Sequence, residues 1–261
     1  MATGIAVSGD IPIRLRDTDV TGARHDAVVF YGLAGALPRI MSEYLAVGRP
    51  VVHIDLGYWG RKNDGKLTGY HKIVVNDRHP TSYFQKSAQP RDRIERFGIS
   101  PRPWTETGRH IVLAGMGAKA AVSLGFEPEE WERMALAEMR KHTDREIIYR
   151  PKPSWKDAPP IEGTTFSGPD DTLAKALRDC HALVTHHSNA AVDAIVAGVP
   201  AFCWHGVAVP MSGQDISMIE QPVRPDGREQ WLADIAYCQW NVREMTRGLP
   251  WKHLKREGLI P

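Results

Sequence analysis

The sequence is poor in cysteine and has no long apolar run. Its three cysteines, Cys180, Cys203 and Cys238, lie far apart and form no Cys-x-x-Cys pair. That spacing favours reduced thiols in a cytosol over a disulfide framework. No stretch of about 18 apolar residues is present, as a membrane-spanning helix would need, and the N-terminus lacks the basic-then-apolar layout of a secretory signal. We therefore expect a cytoplasmic protein with no membrane span.

The sequence also lacks internal repeats and low-complexity tracts. Its 261 residues are 42% hydrophobic and 25% charged, as in ordinary globular proteins, and allow one large domain or two modest ones. The net charge of +2 is uneven, because residues 61–109 hold eleven Lys/Arg and five Asp/Glu. Such an asymmetry is typical of a surface for a polyanionic partner, and a solvated face plus a basic linker explains it equally well.

Short apolar runs alternate with helical patterns in the first part of the chain. We predict strands at residues 27–32, 51–57 and 71–76, and a helix within 33–48 that is broken near Pro38. The apolar runs are continuous, which indicates strands buried on both faces, as in a parallel sheet. The Pro-rich segment 89–108 is predicted to connect two domains.

The alternation is more regular after residue 108, which is the signature of a doubly wound α/β fold. The predicted strands occupy residues 110–117, 146–149, 182–188 and 199–204. The predicted helices occupy residues 128–142, 172–180, 189–198 and 228–248.

The segment THHSNAAVDAIVAGVPAF (185–202) carries the most specific site pattern. A predicted strand ends at its two histidines and a helix opens at Ser188 or Asn189. The free N–H groups and the positive dipole end of that helix can bind phosphate. Asp193, one helical turn later, can accept hydrogen bonds from ribose hydroxyls. Alternatively, Ser188 and Asn189 are only N-caps.

The run S-N-A-A-V-D-A-I-V-A-G-V-P resembles the donor-site motif of GT-B glycosyltransferases. The resemblance implies diphosphate contacts at Ser188 and Asn189, and a ribose contact at Asp193, where many members have Glu. IIYRPKP (147–153) is similar to a turn of capsule-type members, which implies that Arg150 and Lys152 neutralise the diphosphate.

Two further segments complete the resemblance on the donor side. In GTTFSG (163–168), family members contact the base through backbone atoms. VAVPMSGQDISMIEQP (207–222) resembles the loop that closes over the donor sugar, with Gln214 and Asp215 as its polar pair. Gly115, in the turn after the strand at 110–117, completes the expected donor site.

The resemblance also implies the domain organisation and the reaction. It implies an α/β fold of two Rossmann-like domains: an acceptor-side domain (1–105), a nucleotide-sugar-binding domain (106–227) and a C-terminal helix (228–261) that packs back on the first domain. The donor is expected to be a nucleotide sugar, with UDP favoured. We expect no metal and no other cofactor, because no Asp-x-Asp pair stands where a GT-A enzyme holds its ion.

The acceptor side offers fewer signals. An inverting transferase needs a base such as Asp, Glu or His, and Asp19, Asp55 and His79 follow or precede predicted strands; we favour Asp55 and His79. Tyr58 and Trp59 are predicted to stack on the acceptor. The basic stretch indicates an anionic acceptor, either an acidic glycan or DNA with hydroxylated bases, as some phage GT-B enzymes modify, and Lys62, Lys66 and Lys72 are expected to contact it.

Two other function classes remain open. GMGAKA (115–120) matches the G-x-G-x-x-A dinucleotide fingerprint and would suit an NAD(P)-dependent oxidoreductase. Against it, the next helix breaks at Gly125 and Pro128. A non-catalytic nucleic-acid-binding protein would use the basic stretch, but the sequence has no helix-turn-helix, zinc or RRM signature. Adjacent His186 and His187 on a strand are expected to point to opposite faces, so they should not share a metal.

Overall fold

A computed structural model describes residues 1–61, 69–80, 88–168 and 170–261. The chain divides into two compact units, the first made of Met1–Gly98 with Gln230–Pro261 and the second of Ile99–Glu229. The sequence predicts domain boundaries after residues 105 and 227. The two compact units are divided after Gly98 and after Glu229. Within the described ranges, no helix combines the length and apolar character needed to cross a bilayer.

The helices and strands have the following bounds. The described helices are α1 (Ala2–Val7), α2 (Leu37–Ala46), α3 (Asp92–Phe97), α4 (Ala118–Ser123), α5 (Glu130–Met139), α6 (Leu173–Ala176), α7 (Ala190–Val196), α8 (Arg228–Tyr237), α9 (Val242–Thr246) and α10 (Leu249–Arg256). The described strands are β1 (Val28–Tyr31), β2 (Val51–Leu56), β3 (Tyr70–Val75), β4 (His110–Ala114), β5 (Glu146–Arg150), β6 (Thr165–Phe166), β7 (Cys180–Thr185), β8 (Ala201–Cys203) and β9 (Gln239–Asn241).

The sheet of the first unit has the strand order β1-β2-β3-β9. β1 and β2 are parallel, whereas β3 is antiparallel to both β2 and β9. The expectation of a parallel sheet is therefore wrong for β3. Gly57 N donates to Tyr70 O and Tyr70 N donates to Gly60 O, so the chain returns directly beside β2. A continuous apolar run indicates that both faces of a strand are buried. It does not indicate whether the neighbouring strand is parallel or antiparallel.

One face of this sheet packs against the C-terminal helices. Val52, Ile54 and Ile73 form a buried cluster with Trp251 and Leu254 of α10. The C-terminal segment Gln230–Pro261 is thus part of the first unit. Most of the core of this unit therefore depends on residues far apart in sequence.

The single helix predicted over 228–248 is wrong, because the chain forms α8, β9 and α9 there. The edge of β3 leaves backbone groups open, and β9 satisfies them by pairing with it. Asn241 then starts α9 through a capping box, in which Asn241 and Glu244 accept each other's backbone N–H groups. Pairing at the edge of β3 and the cap at Asn241 therefore interrupt the helix that the apolar pattern predicted.

The second unit contains a five-stranded sheet in the order β6-β5-β4-β7-β8, with every neighbouring pair parallel. The predicted doubly wound α/β fold is confirmed for this unit. Counted from β4, the order is 3-2-1-4-5, as in a Rossmann-type sheet. The chain leaves β4 toward β5 on one side and later enters β7 on the other. In such sheets, ligands bind outside the carboxyl ends of the strands where the order reverses.

Candidate functional site

The point of reversal lies between the carboxyl ends of β4 and β7. Ala114 is in register with Arg150 on β5, and the buried Thr185 Oγ1 donates a hydrogen bond of 2.7 Å to Ala114 O. This bond joins the last residues of β4 and β7. The loops that follow the two strands, 115–117 and 186–189, therefore start from a fixed edge.

Buried side chains pack closely against the glycine turn after β4. A Cβ on Gly115 would lie 2.9 Å from the Tyr149 ring and 3.1 Å from Glu132 Oε1. Met116 N donates to Glu132 Oε1 at 2.5 Å. Burial raises the pKa of the Glu132 carboxyl, and the hydrogen bond from Met116 opposes that rise. Close packing against Tyr149 and Glu132 thus accounts for Gly115.

Lys152 lies over the same turn. A Cβ on Gly117 would stand 3.2 Å from Lys152 Cδ. In a dinucleotide fold, the pyrophosphate lies at the N-terminus of the helix that follows the glycines. The helix after the turn, α4, has only six residues. These features disfavour NAD(P) binding at GMGAKA.

Arg150 lies at the carboxyl edge but leans away from β4. Its Nη1 donates to Ser167 Oγ at 3.2 Å and to Asp171 O at 2.6 Å, both beyond the end of β6. Burial lowers the pKa of its guanidinium. The two predicted cations therefore lie on different sides of β5, with Lys152 toward β4 and Arg150 toward β6.

The loop after β7 places three predicted residues at the same edge. Asn189 occupies the N-cap position of α7 without a side-chain cap bond. Ser188 Oγ accepts a hydrogen bond from Ala190 N at 3.2 Å. Asp193 is partly exposed in the first turn of α7. The structure thus brings Ser188, Asn189 and Asp193 together and leaves the Asn189 amide available.

A histidine cluster, His186, His187 and His205, was not predicted. His186 Nδ1 lies 3.0 Å from His187 Nδ1, and the His186 and His205 rings are 4.7 Å apart. The expectation that His186 and His187 point to opposite faces is wrong, because β7 ends at Thr185 and the alternation of a strand ends with it. Among the described residues, no group of three or more His, Cys, Asp or Glu side chains is arranged to hold a metal ion.

Aromatic rings surround His186 on its buried side. The ring centroids of Trp131 and Phe126 lie 5.5 and 5.8 Å from that of His186, both edge-on. His186 O accepts hydrogen bonds from Trp204 N and His205 N. The loop after β7 is thereby tied to the residues that follow β8. A sequence signal did exist, because a histidine follows each strand, His186 directly after β7 and His205 two residues after β8.

The buried histidines predict a loss of stability in acid. The pKa of His186 is lowered to about 4, first by burial and then by His205. The pKa values of His53 and His253 are also lowered to about 4, mainly by burial. An unfolded histidine binds its proton near pH 6.5, so the unfolded chain takes up more protons as the pH falls from about 6.5 to about 4. Each histidine should then remove about 2–3 kcal/mol of stability over this window.

Urea unfolding at a series of pH values measures this effect. His186→Gln should flatten the dependence between about pH 6.5 and 4, whereas the same change at the surface residue His142 should leave its slope unaltered. Equal slopes for the wild type and His186→Gln would contradict the assignment of His186.

The second half of the predicted sugar loop, from Asp215 onward, is held away from the carboxyl edge of the sheet. Asp215 Oδ1 accepts from Ser217 N at 3.0 Å and caps the 3₁₀ turn Ile216–Met218. Ile219 O contacts His181 Nε2 at 2.9 Å, near the start of β7. Residues 216–219 therefore extend to the amino end of the sheet. Gln214 is exposed, and Asp215 has a capping role that the sequence did not indicate.

In the first unit, Asp55 lies near the end of β2 and is partly exposed. Its Oδ1 accepts from Leu56 N at 2.7 Å, and its Oδ2 lies 3.8 Å from Lys72 Nζ on β3. Asp19 lies in the exposed 3₁₀ turn Asp17–Asp19, and His79 follows β3 and is partly buried. Asp55 is the candidate base that combines an exposed carboxylate with a neighbouring cation.

The predicted aromatic platform is only partly available. Tyr58 is 2% exposed, so its ring cannot stack on an acceptor, and that expectation is wrong. Trp59 is partly exposed, and its ring lies 5.9 Å from Phe97 and 6.2 Å from Tyr58. The turn carries Tyr58 inward because Gln239 Oε1 accepts hydrogen bonds from the backbone N–H groups of both Tyr58 and Trp59.

Much of the basic stretch is engaged within the protein. Lys72 and Arg93 are buried, and Arg96 and Arg109 form ion pairs with Asp92 and Asp179. Lys62 and Lys66 lie outside the described residues. Lys72 is not part of an open basic surface, because only 8% of its side chain is exposed. The net charge of this segment therefore overstates its exposed positive charge.

Comparison with known proteins supports the fold alone. No protein-family model and no curated protein matches the chain. Among solved structures, it is similar to Thermosulfurimonas dismutans KpsC, a beta Kdo 2,4 transferase, over 95% of this chain and 93% of that chain, with a TM-score of 0.54 and 11% identity. A beta Kdo 2,7 transferase of the same KpsC matches over 87% and 85%, with a TM-score of 0.48 and 13% identity. The chain therefore has a Rossmann-like α/β fold similar to that of a solved glycosyltransferase.

Proposed function

We propose that this chain is a GT-B glycosyltransferase, which moves a sugar from a nucleotide-diphosphate sugar to an acceptor hydroxyl. The observation that carries the proposal is the reversal of strand order between β4 and β7, where Ser188, Asn189 and Asp193 lie. The similar fold of a beta Kdo transferase adds an analogy at the level of the fold, and the site residues carry the choice of chemistry.

The donor site would lie at the carboxyl edge of the second unit. Backbone N–H groups at Ser188 and Asn189 would hold the diphosphate, and the Asp193 carboxylate would accept hydrogen bonds from the ribose. When the acceptor oxygen attacks the anomeric carbon, the sugar–phosphate bond breaks and negative charge develops on the departing diphosphate. Lys152 and Arg150 would offset that charge without a metal ion. Activity that EDTA abolishes and Mn²⁺ restores would contradict the metal-independent form of the proposal.

Binding and turnover experiments test the proposal together. Calorimetry with UDP, other nucleotides and NADP⁺ identifies the co-substrate class, and we expect UDP to bind and NADP⁺ not to bind. Intact-mass detection of transfer, with a panel of nucleotide sugars and acceptors, then tests the reaction. Binding of NADP⁺ without any nucleotide diphosphate would favour the oxidoreductase alternative.

Asp193→Ala should weaken UDP binding by about 1–3 kcal/mol, because the ribose hydroxyls lose their acceptor. Calorimetry on the folded variant measures the loss. Asp144→Ala is the matched control, because Asp144 is exposed just before β5, at the amino edge of the same sheet. Equal UDP affinity for the wild type and Asp193→Ala would remove Asp193 from the donor site.

We also propose that the first unit binds an anionic acceptor, either an acidic glycan or DNA. Arg78 and Arg91 are exposed cations of this unit that can contact it. If the acceptor is DNA, its KM should rise steeply with salt, because bound phosphates release counterions. Changing Arg78 and Arg91 together to Ala should raise acceptor KM and leave UDP affinity unchanged. If the acceptor KM changes neither with salt nor in this double variant, a neutral acceptor is favoured.

A further inference from the structure

One face of the sheet in the first unit carries a row of polar side chains. Asp55 on β2 is in register with Lys72 on β3, and Lys72 is in register with Gln239 on β9. His53 lies two residues before Asp55 and therefore on the same face. We call these four residues the polar row. The other face of the same strands is apolar and packs against the C-terminal helices.

The inner members of the polar row are buried, and several of their polar atoms lack hydrogen-bond partners. His53 is 2% exposed, Lys72 is 7% exposed and Gln239 is fully buried. Both ring nitrogens of His53, Gln239 Nε2 and the hydroxyl of the adjacent Tyr58 make no hydrogen bond within the described part of the chain. Leaving such a group unpaired destabilises the folded protein. A cluster of them on a sheet face indicates that a further molecule completes it.

The unused capacity of these groups consists mainly of donors. Gln239 Oε1 already accepts two backbone N–H groups, so its amide NH₂ donors are left over. Lys72 Nζ donates to Arg78 O at 3.1 Å and lies 3.8 Å from Asp55, which is beyond hydrogen-bond reach. Burial raises the pKa of Tyr58 well above its ordinary value, so its hydroxyl keeps its proton and can donate. A lysine with several neutral donors complements an oxyanion.

The geometry points to a binding site for an oxyanion group, a carboxylate or a phosphate, held by Lys72, Gln239, Tyr58 and His53. Asp55 is the exposed member of the polar row, with 42% of its side chain accessible, so the group would enter past it. The Asp55 carboxylate could accept a hydrogen bond from a hydroxyl of the same ligand. This site belongs to the first unit, and it does not depend on the proposed nucleotide site in the second.

NMR of the full chain tests the site with inorganic phosphate and, separately, acetate, against chloride at equal ionic strength. The ring signals of His53, identified by their loss in His53→Gln, should shift and saturate with at least one of the two anions. The response to each anion distinguishes a phosphate site from a carboxylate site. Lys72→Met should weaken the response at least tenfold. Lys252→Met, the same change at an exposed lysine of the same unit, should leave the response unchanged.

Tyr58→Phe separates binding from structure. The change removes only a hydroxyl that has no partner, so the protein should stay folded, while the anion affinity should fall several-fold. An unchanged response in Tyr58→Phe together with an unchanged response in Lys72→Met would overturn the proposal, and so would the absence of any His53 shift with either anion. UDP affinity, measured on the same variants, should not change. A failure of the nucleotide proposal is thereby distinguished from a failure of this one.

Discussion

Replacing Arg93 by Met should lower the free energy of unfolding by about 3–5 kcal/mol, because it leaves the Glu244 carboxylate, whose side chain is only 13% exposed, without its cationic partner. Arg93 is 5% exposed on α3, and its Nη1 donates to Glu244 Oε1 at 2.8 Å. Its Nε and Nη2 donate to Ala236 O and Gln239 O, at 3.0 and 2.8 Å. The guanidinium also lies 3.9 Å from the Trp240 ring centroid. One side chain therefore joins α3 to α8, β9 and α9.

Urea unfolding measures the loss, and two further variants control for it. Arg96→Met, on the same helix, breaks only the exposed pair with Asp92 and should cost less than about 1 kcal/mol. Arg93→Lys keeps the charge but loses the planar fork, so it should recover only part of the stability. A loss for Arg93→Met no larger than that for Arg96→Met would show that this buried pair does not hold the C-terminal segment in place.

Where the chain forms strands could be predicted from sequence more reliably than how the strands pair. The runs at 28–31, 51–56 and 110–114 are mainly apolar, and each forms a strand at the predicted place. Burial on both faces produces the same run whether the neighbour is parallel or antiparallel, so the direction of β3 was not encoded locally. β9 was missed for a related reason. Its pairing satisfies the edge of β3, which lies far away in sequence.

The position of the donor-side candidates followed from local rules. A strand, a turn with Ser188 and Asn189, and a helix with Asp193 in its first turn are readable within about ten residues. Their placement at the reversal of strand order gives that local pattern a topological reason. Asp215 was different, because the same carboxylate can bind a sugar or cap a turn. Only the position of Ser217 distinguishes the two roles.

The remaining wrong predictions on the acceptor side concern residues that are unexpectedly buried. Tyr58 and Lys72 are amphipathic residues that usually reach solvent, and the sequence around them is polar. Gln239, which lies 181 residues from Tyr58 in sequence, accepts a hydrogen bond from the Tyr58 backbone and is in register with Lys72. The residues next to Tyr58 and Lys72 in sequence do not indicate that Gln239 lies beside them. The same long-range contact creates the polar row.

The prediction with the largest effect on turnover concerns Asp55. If Asp55 is the base that deprotonates the acceptor hydroxyl, Asp55→Asn should lower kcat by about 10²–10⁴-fold. The amide keeps the size of the carboxylate, and its oxygen can still accept from Leu56 N, so the loss should fall on kcat rather than on UDP affinity. Initial rates of nucleotide release, at saturating donor and acceptor, measure the change.

Two matched variants decide whether the loss is specific to Asp55. Asp77 also accepts a hydrogen bond from the next backbone N–H, so Asp77→Asn makes the same chemical change in a similar local setting. We expect Asp77→Asn to stay within about threefold of the wild type, since Asp77 has no proposed role in proton transfer. His79→Gln tests the other predicted base. If His79→Gln abolishes turnover and Asp55→Asn does not, the base is His79, and Asp55 acts only as the partner of Lys72 at the mouth of the polar row.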